Sequence, residues 1–114
     1  MKLHATPREA RGIIVIDLSG RVTLGEGSAL LRETLRDLLL KGHKKIVLNF
    51  ADVDYIDSSG IGELVSGFTT VRSHGGELKL LNLTKRVNDI LQITRLYTVF
   101  DVHSDEQAAA ESFH

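Results

Sequence analysis

The stretch Lys45-Ile46-Val47-Leu48-Asn49-Phe50-Ala51-Asp52-Val53-Asp54-Tyr55-Ile56-Asp57-Ser58-Ser59-Gly60-Ile61-Gly62 contains a change of period that decides the fold. Lys45 to Phe50 has the apolar, β-branched character of a buried strand, whereas beyond it Ile61, Leu64, Val65, Phe68 and Val71 recur at helical spacing. A strand must therefore become a helix across Asp57-Ser58-Ser59-Gly60-Ile61-Gly62. A serine at such a junction is expected to cap the helix by accepting a first-turn N–H, and Asp57 suits the positive end of the helix dipole. One cap needs only one serine. Ser58, nearer to Asp57, is the better placed to cap, which leaves Ser59 projecting outward, with Gly60 and Gly62 after it offering no side chain to obstruct its hydroxyl.

Two readings of the serine pair stay open. In one, Ser58 and Ser59 do nothing beyond capping. In the other, one of them is a covalent modification site: a phosphate there would meet orphan N–H donors but stand beside Asp57, with Asp52, Asp54 and Glu63 close in sequence. Such a group would switch an interface without refolding the domain.

Outward from this junction the chain alternates strand and helix. Leu3 to Thr6 is expected as a short edge strand stopped by Pro7, and Ile13 to Leu18 as a strand covered on both faces, ended by Gly20. Gly25 to Ser28 reads as a polar loop. Ala29, Leu30, Leu31, Thr34, Leu35, Leu38 and Leu39 then form the apolar stripe of a helix whose outer face carries Arg32, Glu33, Arg36 and Asp37, with Gly42 at its C-terminal end. The helix after the serines carries Gly62, Glu63, Ser66, Gly67 and Thr70 opposite its apolar face. Its glycines, Gly60, Gly62 and Gly67, cost helix propensity and need a reason, either close packing on a strand or a shallow surface for another protein's backbone. Gly75-Gly76 stops it. Glu77 to Asn82 reads as a strand, Thr84 as the cap of a helix through Thr94, Val99 to Val102 as a short last strand, and Ser104 to Gln107 as a capping box before an Ala-rich helix. Right-handed crossovers then put helices over the sheet, and a hairpin of the first two strands makes the sheet mixed. The binding edge falls where strands end and helices begin, at Ser58-Ser59.

Composition sets limits. With 114 residues, 42% hydrophobic and 25% charged, the chain is expected to be one soluble globular domain, and a net charge of −1 with no basic stripe argues against a direct nucleic-acid binder. There is no cysteine, so no disulfide, thiolate metal site or cysteine nucleophile is available. The N-terminus lacks the apolar run of a signal peptide and no run approaches membrane-spanning length, which points to the cytoplasm and to no membrane partner.

Enzyme chemistries fit poorly. Asp52, Asp54 and Asp57 cluster as a magnesium site or phosphate receiver would, but a receiver needs an acidic pair after its first strand and Asp17 stands alone. Ile56-Asp57-Ser58-Ser59-Gly60 lacks the first glycine of a hydrolase elbow, and His4, His43, His74, His103 and His114 fall at element ends or termini, as surface histidines do. No Gly-Lys-Ser or Gly-Lys-Thr follows Gly60-Ile61-Gly62, so no nucleotide loop is expected, nor any metal or cofactor.

Asp57-Ser58-Ser59-Gly60-Ile61-Gly62, preceded by Val47 to Ile56, resembles the signature of the STAS domain, and more narrowly that of the stand-alone bacterial anti-sigma factor antagonists; the resemblance covers about Leu3 to Ser112 of one domain spanning 1–114. It implies an α/β fold with a mixed sheet of four to five strands and about four helices. It also implies a non-enzymatic partner switch: the unphosphorylated form binds an anti-sigma factor, itself a serine kinase, and frees the sigma factor. Phosphorylation at the junction ends that binding, and a serine phosphatase restores it. Ser59 is the expected acceptor, with Ser58 the alternative. The implied partner surface is Asp57, Ser58, Ser59, Gly60, Ile61, Gly62, Glu63, Ser66 and, in the loop before the first helix, Thr23, on a protein that is alone a monomer or weak dimer. The sequence departs from the family there, where Arg21-Val22-Thr23 replaces a frequent acidic residue. The same fold also serves as a scaffolding subunit of stress-signalling assemblies or an accessory subunit of lipid-transport systems.

Overall fold

In the computed structural model, which describes residues 2 to 113, the central strand runs farther than its apolar stretch. Five strands form one sheet in chain order: β1 (His4–Ala10), β2 (Ile13–Val22), β3 (Lys45–Ile56), β4 (Glu77–Leu81) and β5 (Val102–His103). β1 and β2 pair antiparallel across Arg11-Gly12, both at positive φ as a tight hairpin turn requires, while β2 to β5 are mutually parallel. The crossovers are α1 (Glu26–Leu40), α2 (Ser58–Ser73) and α3 (Lys85–Ile93), the last followed by a 3₁₀ turn at Leu96–Thr98; α4 (Glu106–Glu111) closes the order. The mixed five-stranded α/β sheet is the architecture read from the sequence.

Both faces of the sheet are covered. Ile14, Ile16, Leu18, Ile46, Leu48 and Phe50 pack beneath Leu31 and Leu35 of α1, Leu64 and Val71 of α2, and Val87 and Leu91 of α3. The alternate residues Ile13, Val15, Val47 and Leu81 meet Ala109 of α4, with Phe113 packed against them. This two-sided burial is why β2 reads as a continuous apolar run.

Toward the strands' C-terminal ends the α4 side becomes polar. Arg8 of β1 donates to Asp17 of β2 through Nε at 2.6 Å and Nη2 at 3.2 Å, and its fork also reaches both carboxylate oxygens of Glu106 on α4. Asn49 of β3 donates to Asp17 at 2.9 Å and accepts from Asn82 at 3.1 Å. The Arg8 hydrogen bonds hold the Asp17 and Glu106 carboxyls below their ordinary range.

Several expected boundaries move. β1 continues past Pro7, which an edge strand accommodates because its missing N–H need not join a ladder. β2 passes through Gly20, whose φ of +100° and close approach to the Lys2 carbonyl suit a bulge, and the ladder with β3 shifts register beside it. α1 starts at Glu26 inside the expected loop; Gly42, at φ +90°, lies one residue past its cap. The last strand is only Val102–His103, because Leu96–Thr98 coils and Phe100 turns into the core. Thr84 caps α3, whereas α4 is capped by Asp105, whose side chain accepts the Ala108 N–H, and not by Ser104.

Candidate functional site: the start of α2

β3 delivers Asp57, and Asp57, not Ser58, is the residue that caps α2. Its Oδ1 accepts the Gly60 N–H at 2.8 Å, while its carbonyl begins the helix by accepting from Ile61 at 2.9 Å. An aspartate one position earlier makes the cap that the sequence reading gave to a serine, and Ser58 becomes the first residue of the helix. The consequence is that neither serine hydroxyl has a hydrogen-bond partner among the described residues, with Ser58 exposed and Ser59 half-buried. The amides of Ser58 and Ser59 are left as orphan donors of the first turn.

Asp57 has a second task. Its Oδ2 accepts the N–H of Leu24 at 3.2 Å, and its own N–H donates to the Val22 carbonyl at 3.2 Å, so the β2–α1 loop is tied to the start of α2. Thr23 sits in that loop, half-buried, its carbonyl accepting both the N–H and the hydroxyl of Ser28. Leu24 is presented to solvent, 78% exposed. The pattern gave no signal for Leu24, because its tether is to a residue 33 positions later.

The glycines of α2 divide by role. A Cβ on Gly60 would fall on the Val22 carbonyl oxygen, and one on Gly67 would lie 2.7 Å from Leu35 Cδ1 of α1; one on Gly62 would meet nothing within 4 Å. Gly67 therefore belongs to the contact between α1 and α2 rather than to the outer face. Gly62 and Ser66 are exposed, Ile61 is buried beneath them, and Glu63 is 13% exposed, 3.9 Å from Arg32 of α1. Arg32, Arg36, Glu63, Ser66 and Thr70 rim a cavity of about 230 Å³ between the two helices.

Other candidate chemistry does not assemble. Asp52 and Asp54 are exposed, and no group of three His, Asp or Glu able to hold a metal occurs among the described residues. His4 is exposed, His43 lies half-buried in the loop between α1 and β3, His74 bonds the Thr70 carbonyl at 2.8 Å and His103 faces Asp101 at 2.9 Å; His114 lies outside the described residues. No helix is long and apolar enough to cross a membrane among the described residues.

The family model of the STAS domain matches residues 4–109 of this chain. The chain belongs to the STAS domain family. The anti-sigma-B factor antagonist of Bacillus subtilis is 28% identical over 111 residues, covering 97% of this STAS domain and 100% of the relative. In structure, an anti-sigma factor antagonist from Mycobacterium paratuberculosis superposes with a TM-score of 0.84 at 14% identity, covering 97% and 93% of the two chains. The anti-sigma factor antagonist SpoIIAA has been solved unphosphorylated, with a TM-score of 0.69 at 20% identity covering 95% and 96%, and, from Bacillus, phosphorylated, with 0.72 at 21% covering 95% and 97%. At these identities the structural matches establish the fold, and the sequence relative establishes the kind of regulator this STAS domain resembles.

Proposed function

We propose that this STAS domain is a non-enzymatic, phosphorylation-switched anti-sigma factor antagonist working in the cytoplasm. The observation that carries the reading is the cap: because Asp57 makes it, the hydroxyls of Ser58 and Ser59 stand free at an accessible helix start beside the open surface over Gly62. Unphosphorylated, the surface formed by Asp57, Ser58, Ser59, Gly62, Glu63, Ser66 and Thr23, with the buried Gly60 and Ile61 holding it from beneath, binds an anti-sigma factor with serine kinase activity and releases its sigma factor. Ser59 takes the phosphate, with Ser58 the alternative, and a serine phosphatase removes it. The names of the relatives support the regulator class, and the existence of a phosphorylated SpoIIAA structure supports the chemistry.

The physical effect is local. A phosphoserine brings about −1.5 to −2 charges next to the Asp57 carboxylate at a surface that must desolvate on binding. A loss of about 3 kcal/mol weakens binding more than about 100-fold, enough for a switch. The test is a pull-down with wild type and Ser59→Asp from extract of the source organism, the captured proteins being identified by mass spectrometry. A small ATP-binding kinase held by wild type and lost by Ser59→Asp is the expected outcome. Equal capture of one large assembly or a membrane transporter by both proteins would overturn the switch in favour of a scaffold or transport subunit.

A further inference from the structure

On the same rim of the sheet, two arginines from different elements converge on one tyrosine. Arg21 of β2 is the register partner of Tyr55 on β3, and its guanidinium carbon lies 5.6 Å from the ring centroid. Arg86, in the first turn of α3, reaches the same ring at 5.3 Å. Both arginines are exposed and Tyr55 is half-buried. Neither guanidinium makes an ion pair with a carboxylate of the described residues, although Asp52 and Asp54 stand on the same strand as Tyr55. By contrast, Arg8, Arg11 and Arg32 each pair with an acid.

A guanidinium laid against an aromatic ring keeps its N–H fork directed outward, and that fork matches a carboxylate in two-point geometry. Two such forks on one rim, with no acidic partner among the described residues, leave their donors free for the carboxylates of another molecule. The location also fits a partner: Val22, the residue after Arg21, gives its carbonyl to the Asp57 N–H, so the platform shares the rim with Ser58 and Ser59.

We infer that Arg21 and Arg86, each set on Tyr55, form a receptor for carboxylate side chains, and that the protein partner of this STAS domain presents an acidic segment to it. The identity of the partner rests on the partner-switching reading above; the carboxylate chemistry does not.

Two measurements test it. The isotope-labelled chain is titrated at low salt with a blocked tetraglutamate peptide and, separately, with inorganic phosphate, following the Nε–H resonances of all arginines and the ring of Tyr55. The expected result is a saturable shift at Arg21, Arg86 and Tyr55 with the peptide, absent from the Arg21→Gln/Arg86→Gln variant and absent at Arg95, which is exposed at the other end of α3. Equal shifts at every exposed arginine, or a response to phosphate and not to the peptide, would overturn the inference. Next, affinity for the kinase captured by wild type should fall at least about tenfold in Arg21→Glu/Arg86→Glu and stay unchanged in Arg95→Glu; equal losses in both variants overturn the placement. Should wild type capture no kinase, the partner-switching reading fails, and the peptide titration still decides the carboxylate receptor.

Discussion

Asp57 holds the backbone of Leu24 across 33 residues of sequence, Oδ2 accepting its N–H at 3.2 Å, while Oδ1 caps α2 at Gly60. One carboxylate thereby fixes two loops that together make the rim of the sheet. Asp57→Ala removes both bonds and is expected to cost about 1–2 kcal/mol, the range for loss of a good N-cap. Urea unfolding gives the stability, and amide exchange of Leu24 and Gly60 should speed up together. Faster exchange at Gly60 with Leu24 unchanged would show that the tether does not hold in solution.

The glycines of α2 make opposite predictions at nearly identical chemistry. Gly60→Ala drives a methyl into the Val22 carbonyl, which is backbone and cannot yield, so a cost of about 3 kcal/mol or more is expected. Gly67→Ala meets the far end of Leu35, which can shift, and should cost about 1–3 kcal/mol. Gly62→Ala meets open space inside a helix and should stabilise by about 0.5–1 kcal/mol. Thermal melting of the three variants checks the order. If Gly62 belongs to the partner surface as proposed, its alanine variant is more stable and binds its partner less well.

The sheet was legible because its signals are local. Ile13 to Leu18 and Lys45 to Phe50 announce buried strands by composition, and the 3.6-residue period of α1 and α2 names their inner faces. What was not legible depended on contacts far apart in sequence. β3 extends through Asp52 and Asp54 because β2 is there to pair with it, not because its own residues are apolar. Asp57 rather than Ser58 became the cap, since both residue types cap well and only the position of the Val22 carbonyl fixes where the helix starts. Gly67 could be assigned to packing only once Leu35 was placed opposite it. The Arg21–Tyr55–Arg86 platform, drawn from three elements, has no signature in the chain at all.

Arg8 gives the acid side of the stability curve its shape. The folded-state values of Asp17 and Glu106 are lowered, first of all by hydrogen bonds from Arg8, so their stabilisation is complete above the ordinary values of 3.8 and 4.5 and is lost as pH falls through the lowered ones. Wild type should therefore lose stability progressively below about pH 4.5. Arg8→Gln should be less stable at pH 7 by about 1–2 kcal/mol, a modest figure because 38% of the Arg8 side chain is exposed and solvent screens the pair. The two curves should converge in acid, with a residual slope in the variant from Asp101, which Lys79 and then His103 hold low. Urea unfolding from pH 2 to pH 7 provides the comparison; parallel curves would mean that Arg8 acts by packing alone.

The serines separate structure from switching, because neither hydroxyl supports the fold through a hydrogen bond to a described residue. Ser58→Ala and Ser59→Ala should each change stability by less than about 0.5 kcal/mol, in contrast to Asp57→Ala, as expected for residues that do not cap. Incubated with the kinase and ATP and measured by intact mass, Ser58→Ala should still take up one phosphate and Ser59→Ala none. Uptake surviving in Ser59→Ala and lost in Ser58→Ala would move the acceptor to Ser58, the more exposed of the two. Loss in both variants, with folding unchanged, would mean that the kinase needs the pair of hydroxyls together, one as acceptor and the other as its contact. Since neither alanine disturbs the Asp57 cap, any such loss reports recognition by the kinase and not a displaced helix.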